Sequence, residues 1–451
     1  MSNNTIVALA TPQGSGAIAL IRLSGSNAID IVDSVFYHKQ KLIHIESQKQ
    51  VFGTVKNGTE VIDEVLVSVF RNPKSYTGED TVEISCHGSP FIIKSIFELL
   101  IQRGARLAQP GEFTQRAFIN GKLDLAQAEA VADLIASESK ASHSIALNQM
   151  RGGVSNELAE LRESLINFTA LIELELDFGE EDVEFASRQE LKDLVDHLKS
   201  KIQNLIQSFH YGNAIKNGVP VAIVGYPNAG KSSLLNLLLN EERAIVSDIA
   251  GTTRDTIEEV VTINDIQYRF IDTAGLRDSE DIVENIGIER TKLAISKADI
   301  IIHIFDIRDY SEKENAITPF LSEINQSNKK VIPLANKSDL AENISSISDS
   351  ILFSTKTKKG LTELKSELVN LLETSKYENS VIISNTRHLE SLNLALDSLL
   401  QVELCMQQGL SGDLLAFHLR NTLRYIGDIT GNIDIDKDIL GTIFGKFCIG
   451  K

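Results

Sequence analysis

The stretch VPVAIVGYPNAGKSSLLNLLLN, residues 219–240, constrains the fold more than any other part of the chain. An apolar, β-branched run gives way to a loop of the form GxxxxGKS, from Gly225 to Ser232, and then to a leucine-rich helical pattern. A strand feeding a glycine loop at a helix N-terminus begins a parallel α/β unit, where backbone N–H groups can close around phosphates and the helix dipole favours their charge. The candidate contacts are Asn228, Ala229, Gly230, Lys231, Ser232 and Ser233, with Lys231 reaching the outer phosphates and the Ser232 hydroxyl suited to magnesium. The spacing alone can arise by chance; the strand, loop and helix around it make it informative.

Further elements follow in the order a GTPase requires. YRFIDTAGLRD ends a strand with Asp272, suited to the magnesium shell, and Gly275, whose N–H can reach a γ-phosphate. Read alone, such a DxxG is an ordinary turn. KVIPLANKSDL ends another strand with Asn336, Lys337 and Asp339. A carboxylate at 339 can accept both the N1–H and a 2-amino hydrogen of guanine, a pair that adenine lacks. ILFSTKTKKG offers Ser354, Thr355 and Lys356 where GTPases commonly carry an SAK-like loop, although an ordinary turn reads much the same. Between the first two elements, AIVSDIAGTTRDTIEEV carries adjacent hydroxyls at Thr252 and Thr253; one of them can complete the magnesium shell and sense the γ-phosphate, making this loop the switch. Together these elements predict binding of GTP with Mg2+.

Hydrolysis needs a group that orients water. In the Ras-type template a glutamine follows the DxxG, but here Leu276 stands in that place. The following segment, DSEDIVENIGIER, supplies Asp278, Glu280, Asp281, Glu284 and Glu289, and spacing does not choose among them.

The remaining chain sets the context. Its 451 residues, 42% of them apolar, suffice for about three domains. Residues 1–120 mix β-rich runs (IVALATP, GAIALIRLSG, EVLVSVF, TVEISC) with one helical stretch, PFIIKSIFELLIQRG, and predict an α+β or α/β domain. Residues 121–215 place Leu158, Leu161, Leu165, Phe168 and Ile172 at helical intervals, and residues 376–451 repeat the pattern at Leu389, Leu392, Leu396, Leu399 and Val402. The expectation is therefore a multidomain α/β protein: an α+β N-terminal domain, a discontinuous helical domain, and a P-loop domain with a doubly wound sheet inserted at 216–375. Cys86, Cys405 and Cys448 are too dispersed for a disulfide framework or a zinc site. No leader pattern or membrane span is evident, so a cytoplasmic location with no membrane partner is expected. A net charge of -18 opposes binding of a phosphate backbone, so any nucleic-acid substrate requires a local basic patch or a second protein.

With these motifs, TPQGSGAIALIRLSG, YTGEDTVEISCHGSP, PGEFTQRAFINGKLDLAQAEAVADLIAS and the final CIGK resemble, along the whole length, the bacterial tRNA-modification GTPases called MnmE or TrmE. The resemblance implies a tetrahydrofolate-binding-like N-terminal domain that also forms a homodimer. It implies an FAD-dependent partner, MnmG, with which an aminomethyl or carboxymethylaminomethyl group is added at C5 of the wobble uridine, position 34, of certain tRNAs. Contacts to 5-formyl-tetrahydrofolate or a related folate are implied at Arg22, Glu83, Lys122 and Lys451; cations suit a glutamate tail and a carboxylate suits a pterin edge. Without it, Arg22 and Glu83 read as strand-end surface charges and Lys122 as a helix-flanking residue. The resemblance also implies a K+ site at Asn228, Ser247, Ile249 and Thr252, magnesium at Ser232 and Thr253, Glu284 as the water-activating group, and Arg277 as an ordering residue. Cys448 is either a thiolate near the modification chemistry or a small apolar filler.

Two other classes of function share part of the pattern. A regulatory switch GTPase in ribosome assembly would carry every nucleotide motif but have no use for a folate site or the CIGK end. A folate-dependent one-carbon transferase would keep the folate contacts with GTP in a structural role.

Overall fold

The computed structural model describes residues 4–177, 187–241, 259–271, 293–309, 329–340, 350–372 and 381–431. It divides into two compact units, one comprising Met1–Ala136, Leu147–Lys192 and Asp397–Lys451, the other Ser137–Ala146 and Asp193–Leu396.

The first unit opens with β1 (Ile6–Leu9), β2 (Ile18–Ser24), α1 (Ala28–Asp33), β3 (Phe36–Tyr37), β4 (Lys49–Asn57), β5 (Glu60–Phe70), β6 (Thr81–His87), α2 (Pro90–Gln102), β7 (Arg106–Leu107), α3 (Glu112–Ile119) and α4 (Leu125–Ala136). The strands form a sheet in the order β3-β4-β5-β6-β2-β1-β7, antiparallel except where β7 joins β1. Strict alternation explains which face is covered: Val65, Val67 and Val69 of β5 and Val82, Ile84 and Cys86 of β6 are buried, while their neighbours point the other way. Helix α2, entered through a proline at its first turn, adds Ile96, Leu99 and Leu100 to the same core. Burial pushes the Cys86 thiol up to about 11, so it is protonated packing rather than a nucleophile.

Behind the sheet, α3 is fixed by charge. Glu112, in the first turn of α3 and 7% exposed, accepts from both terminal nitrogens of Arg106 at 2.8 and 2.5 Å, from Arg116 at 3.0 Å, and from the Gln109 N–H. Arg116 also bonds Glu79 and the carbonyl of Asn4, tying α3 to the loop before β6. Removing a member would strand a buried charge, which is why such a network is retained even where its net contribution to stability is small.

Helices α5 (Lys140–Met150), α6 (Gly153–Asp177) and α7 (Arg188–Asn217) follow. On α6, Leu158, Leu161, Leu165 and Ile172 are buried and Phe168 is half-buried, matching the predicted stripe. The partner of that stripe within the first unit is the last described helix, Gly412–Thr430.

The second unit carries β8 (Val219–Val224), α8 (Lys231–Glu241), β9 (Glu259–Ile263), β10 (Ile266–Phe270), β11 (Ile300–Asp306), β12 (Lys330–Asn336), β13 (Ile351–Leu352), α9 (Leu361–Asn370) and the first part of α10 (Thr386–Gln408), whose residues from Asp397 on belong to the first unit; the helix Gly412–Thr430, also of the first unit, is α11. The sheet order is β13-β12-β11-β8-β10-β9, parallel throughout except for the β9–β10 hairpin. Continuous apolar strands are what a sheet covered on both faces requires. Ile300, Ile302 and Ile304 of β11 pack with Leu234, Leu235 and Leu238 of α8 and Leu364 and Leu368 of α9, while Ile301 packs on the opposite face with Ala294 and Ala298.

The start and end of this sheet segment are tied to one another. Ser208 on α7 accepts the Ile383 N–H at 3.1 Å, and a Cβ on Gly212 would lie 2.1 Å from the Ile383 carbonyl oxygen, so glycine is required for the approach. Helix α5 contributes Ala141 and Ile145 to the same core. On α10, Leu392, Leu399 and Val402 are buried and Leu389 and Leu396 half-buried. Among the described residues, no helix is long and apolar enough to cross a membrane.

Candidate functional site

After β8 the chain runs to one edge of the sheet at β9, comes back through β10 beside β8, and continues on the other side of β8 with β11, β12 and β13. Such a reversal opens a crevice at the carboxyl ends of the strands, and the glycine loop emerges there. Its backbone could not be built from ordinary residues. Gly230 has φ +108°, and a Cβ there would lie 2.2 Å from Asn336 Nδ2; Asn228 sits in the left-handed region at φ +62°, which asparagine tolerates.

Helix α8 begins at Lys231, and its first turn closes through the Leu234 N–H to the Gly230 carbonyl. The Lys231 ammonium donates to the carbonyls of Gly225 at 2.8 Å and Tyr226 at 3.0 Å, holding the side chain folded back over the loop. Burial lowers its pKa, the direction expected for an ammonium withdrawn from water, and an incoming anion would reverse that cost. Ser232 is half-buried in the first turn, Ser233 is exposed, and Ala229 is buried. The donor set suits a phosphate chain, and the Ser232 position suits a magnesium ligand, at a helix N-terminus that favours negative charge.

The second and third loops of the site are tied to this one by a single side chain. Asn336, 1% exposed at the end of β12, donates from Nδ2 to the Ala229 carbonyl at 2.7 Å and accepts at Oδ1 from the Thr355 N–H at 3.2 Å. Lys337 follows with φ +62° and places its ammonium 2.8 Å from Asp306 Oδ2. Asp339 is exposed, and the Ser354 hydroxyl donates to its Oδ1 at 2.6 Å. That hydroxyl also accepts the Thr357 N–H at 3.2 Å, which leaves its proton for Asp339. The Ser354 bond holds the Asp339 carboxyl below the usual range, so it is an anion at neutral pH, with a second oxygen to present to a base edge. Lys356 is exposed at the rim.

The structure thus gathers Asn228, Ala229, Gly230, Lys231, Ser232, Asn336, Lys337, Asp339, Ser354 and Thr355 around one crevice. Ser247, Ile249, Thr252, Thr253, Asp272, Gly275, Arg277 and Glu284 lie outside the described residues, as do Cys448 and Lys451. Sequence reasoning passed over Asp306, whose only signal is an acidic residue closing a strand that is apolar apart from His303.

A second set of candidates lies in the first unit. Arg22 and Glu83 stand directly opposite each other on β2 and β6, with Arg22 Nε 2.8 Å from Glu83 Oε1, and each side chain is 20% exposed. The guanidinium lies over the rings of Tyr76 and Phe113, at 5.7 and 5.9 Å from their centroids. The Tyr76 hydroxyl is 2.9 Å from Thr114 Oγ1 on α3. Lys122 is exposed, donates to the Pro73 carbonyl at 3.1 Å, and packs its stem near Gly78. Arg22 and Lys122 therefore border the same loop, residues 72–80. A half-buried cation and carboxylate beside aromatic rings fit a flat heterocycle carrying an anionic tail. Among the described residues, no group of three or more His, Cys, Asp or Glu side chains is placed to hold a metal ion.

Comparison with known proteins places these features in a family. Residues 5–122 match the model of the GTP-binding protein TrmE N-terminus, and residues 125–448 match that of the MnmE helical domain. A protein of Christiangramia forsetii named tRNA modification GTPase MnmE is 51% identical over 472 aligned positions, covering 100% of this chain and 99% of that one. A Flavobacterium psychrophilum protein of the same name is 50% identical with the same coverage, and one from Bacteroides thetaiotaomicron is 48% identical over 100% of both chains.

Proposed function

The chain belongs to the tRNA modification GTPase MnmE family, and we propose on that basis that it works as a potassium-dependent GTPase together with an FAD-dependent partner, MnmG. It is a GTP-hydrolysing P-loop enzyme of tRNA modification. With its partner it adds an aminomethyl or carboxymethylaminomethyl group at C5 of uridine 34 in certain tRNAs, drawing the one-carbon unit from a tetrahydrofolate. It acts in the cytoplasm as a homodimer joined through residues 1–120. The helical domain is made from 121–215 and 376–451, flanking the GTPase domain at 216–375.

The observation that best supports this reading is the guanine-reading corner. Asn336 bonds the P-loop at Ala229 and the 354–356 loop at Thr355, and Ser354 orients the ionised Asp339. Base and phosphates are then read by one connected frame, so a guanine contact and a phosphate contact support each other. Lys231 and the N-terminus of α8 hold the phosphate charge. Ser232 and Thr253 would hold magnesium, and Asn228, Ser247, Ile249 and Thr252 potassium, and these ions would offset the negative charge that builds up on the transferred phosphoryl group. Asp272 belongs to the magnesium shell, and the Gly275 N–H reaches the γ-phosphate. Glu284 orients the attacking water in place of the residue absent at Leu276, and Arg277 orders that segment.

For the folate, the Arg22–Glu83 pair, with Tyr76 and Phe113 alongside, supports binding at the edge of the N-terminal sheet, with Lys122 and Lys451 as further cations. Cys448 acts close to the same chemistry. The acidic overall charge is compatible with a partner that supplies most of the tRNA attraction.

Mass analysis of tRNA nucleosides tests this directly. A strain lacking the protein is expected to lose the modified wobble uridine, and a strain carrying Glu284→Ala is expected to lose it as well while the purified variant still binds GTP. Normal modification in the deletion strain would refute the function.

A further inference from the structure

The contact that the nucleotide motifs leave unexplained is the one beneath Lys337. Strands β11 and β12 run parallel with Asp306 paired to Asn336, so Asp306 sits at the strand end beside the start of the NKxD turn. It is 8% exposed and flanked by the buried side chains of Phe305 and Ile307. A carboxylate in that setting must be compensated. Arg308 meets it with a backbone N–H and Nε on Oδ1, both at 3.1 Å, and with Nη2 on Oδ2 at 2.7 Å. Lys337 then adds its ammonium to Oδ2 at 2.8 Å.

Two features separate this arrangement from a plain structural ion pair. The bidentate arginine already neutralises Asp306, so the carboxylate does not need the lysine in order to stay buried and ionised. Lys337, by contrast, stands on a left-handed backbone, a conformation that a non-glycine residue adopts only where its surroundings require it. Its side chain is thereby committed to β11, between Asn336, which ties the P-loop, and Asp339, the exposed carboxylate oriented by Ser354. A free lysine at this position would lose much of its rotamer freedom each time nucleotide bound.

We propose that Asp306 is a positioning residue for guanine nucleotide, holding the Lys337 ammonium so that the NKxD side chains are ordered before the ligand arrives. This rests on the GTPase reading and adds to it a residue outside the nucleotide motifs. Asp306 acts through Lys337, and its contribution disappears when that lysine is gone.

The test is a double-mutant cycle on the full-length protein, with GDP and GTP binding measured by calorimetry in the presence of magnesium. Asp306→Ala is expected to weaken both nucleotides about tenfold, the scale set by ordering one rotamer-rich side chain and one charged hydrogen bond. In a Lys337→Met background the same substitution is expected to cause no additional loss. Asp306→Asn, which keeps the volume and removes the charge, guards against misfolding of the alanine variant and is expected to show the same dependence on Lys337. Asp306→Glu is expected to restore part of the affinity. Unchanged affinity in Asp306→Ala, or losses that multiply in the double variant, would overturn the proposal while leaving the GTPase reading in place. A wild-type protein that binds no guanine nucleotide would overturn both.

Discussion

Asp339→Asn is expected to lower GTP affinity by about a hundredfold or more and to raise affinity for xanthosine triphosphate in its place. The direction follows from the hydrogen-bond partners. The Ser354 hydroxyl, already accepting the Thr357 N–H, donates to Asp339 Oδ1 and would fix the replacement amide with its oxygen on that side. The NH2 group would then face the base. Guanine presents two donors there, so two donors would oppose each other. Xanthine carries a carbonyl in place of the 2-amino group, and the pairing is restored. Calorimetric titration of the variant with both nucleotides reads the exchange; equal loss for the two would mean that Asp339 does not face the base edge.

The second large effect is expected from Asn336→Ala. Alanine removes both bonds of the side chain and leaves the buried Ala229 carbonyl and the Thr355 N–H unsatisfied. At about 1–3 kcal/mol for each stranded group, the combined loss is about 2–6 kcal/mol, shared between the folded unit and its grip on nucleotide. Dissociation of GDP is therefore expected to accelerate by at least tenfold, with a lower thermal midpoint for the second unit. Because Gly230 leaves no space for a Cβ against Asn336, the glycine loop and the strand end have fitted closely, and compensation by a small shift is not available. If nucleotide dissociation were unchanged, the frame joining base and phosphate loops would not matter to binding.

What could be read from the amino-acid order depended on distance along the chain. Lys231 and Ser232 were legible because a strand, a glycine loop and a helix are contiguous, and the leucine spacing of α6 and α10 marked their covered faces correctly apart from half-buried Phe168, Leu389 and Leu396. Asp339 was legible as a guanine-reading carboxylate, but its orientation by Ser354 was not, since the two meet only after β13 returns to the sheet. The match of residues 354–356 to an SAK-like loop looked loose because only Ser354 and the Thr355 backbone take part in the bonds found here. Arg22 and Glu83, readable on their own as surface charges, prove half-buried and paired, a consequence of strand register that no local pattern carries. Asp306 was invisible for the same reason: its partner lies across a parallel strand pair whose connection spans more than twenty residues.

The central claim is that the crevice at the ends of β8 and β12 selects guanine nucleotide. Parallel titration of the purified full-length protein with GTP and ATP, in magnesium and potassium, tests it most directly. The account predicts binding to GTP at least about a thousandfold tighter than to ATP, because adenine cannot supply the two donors that an ionised Asp339 accepts. Comparable binding of the two nucleotides would contradict it.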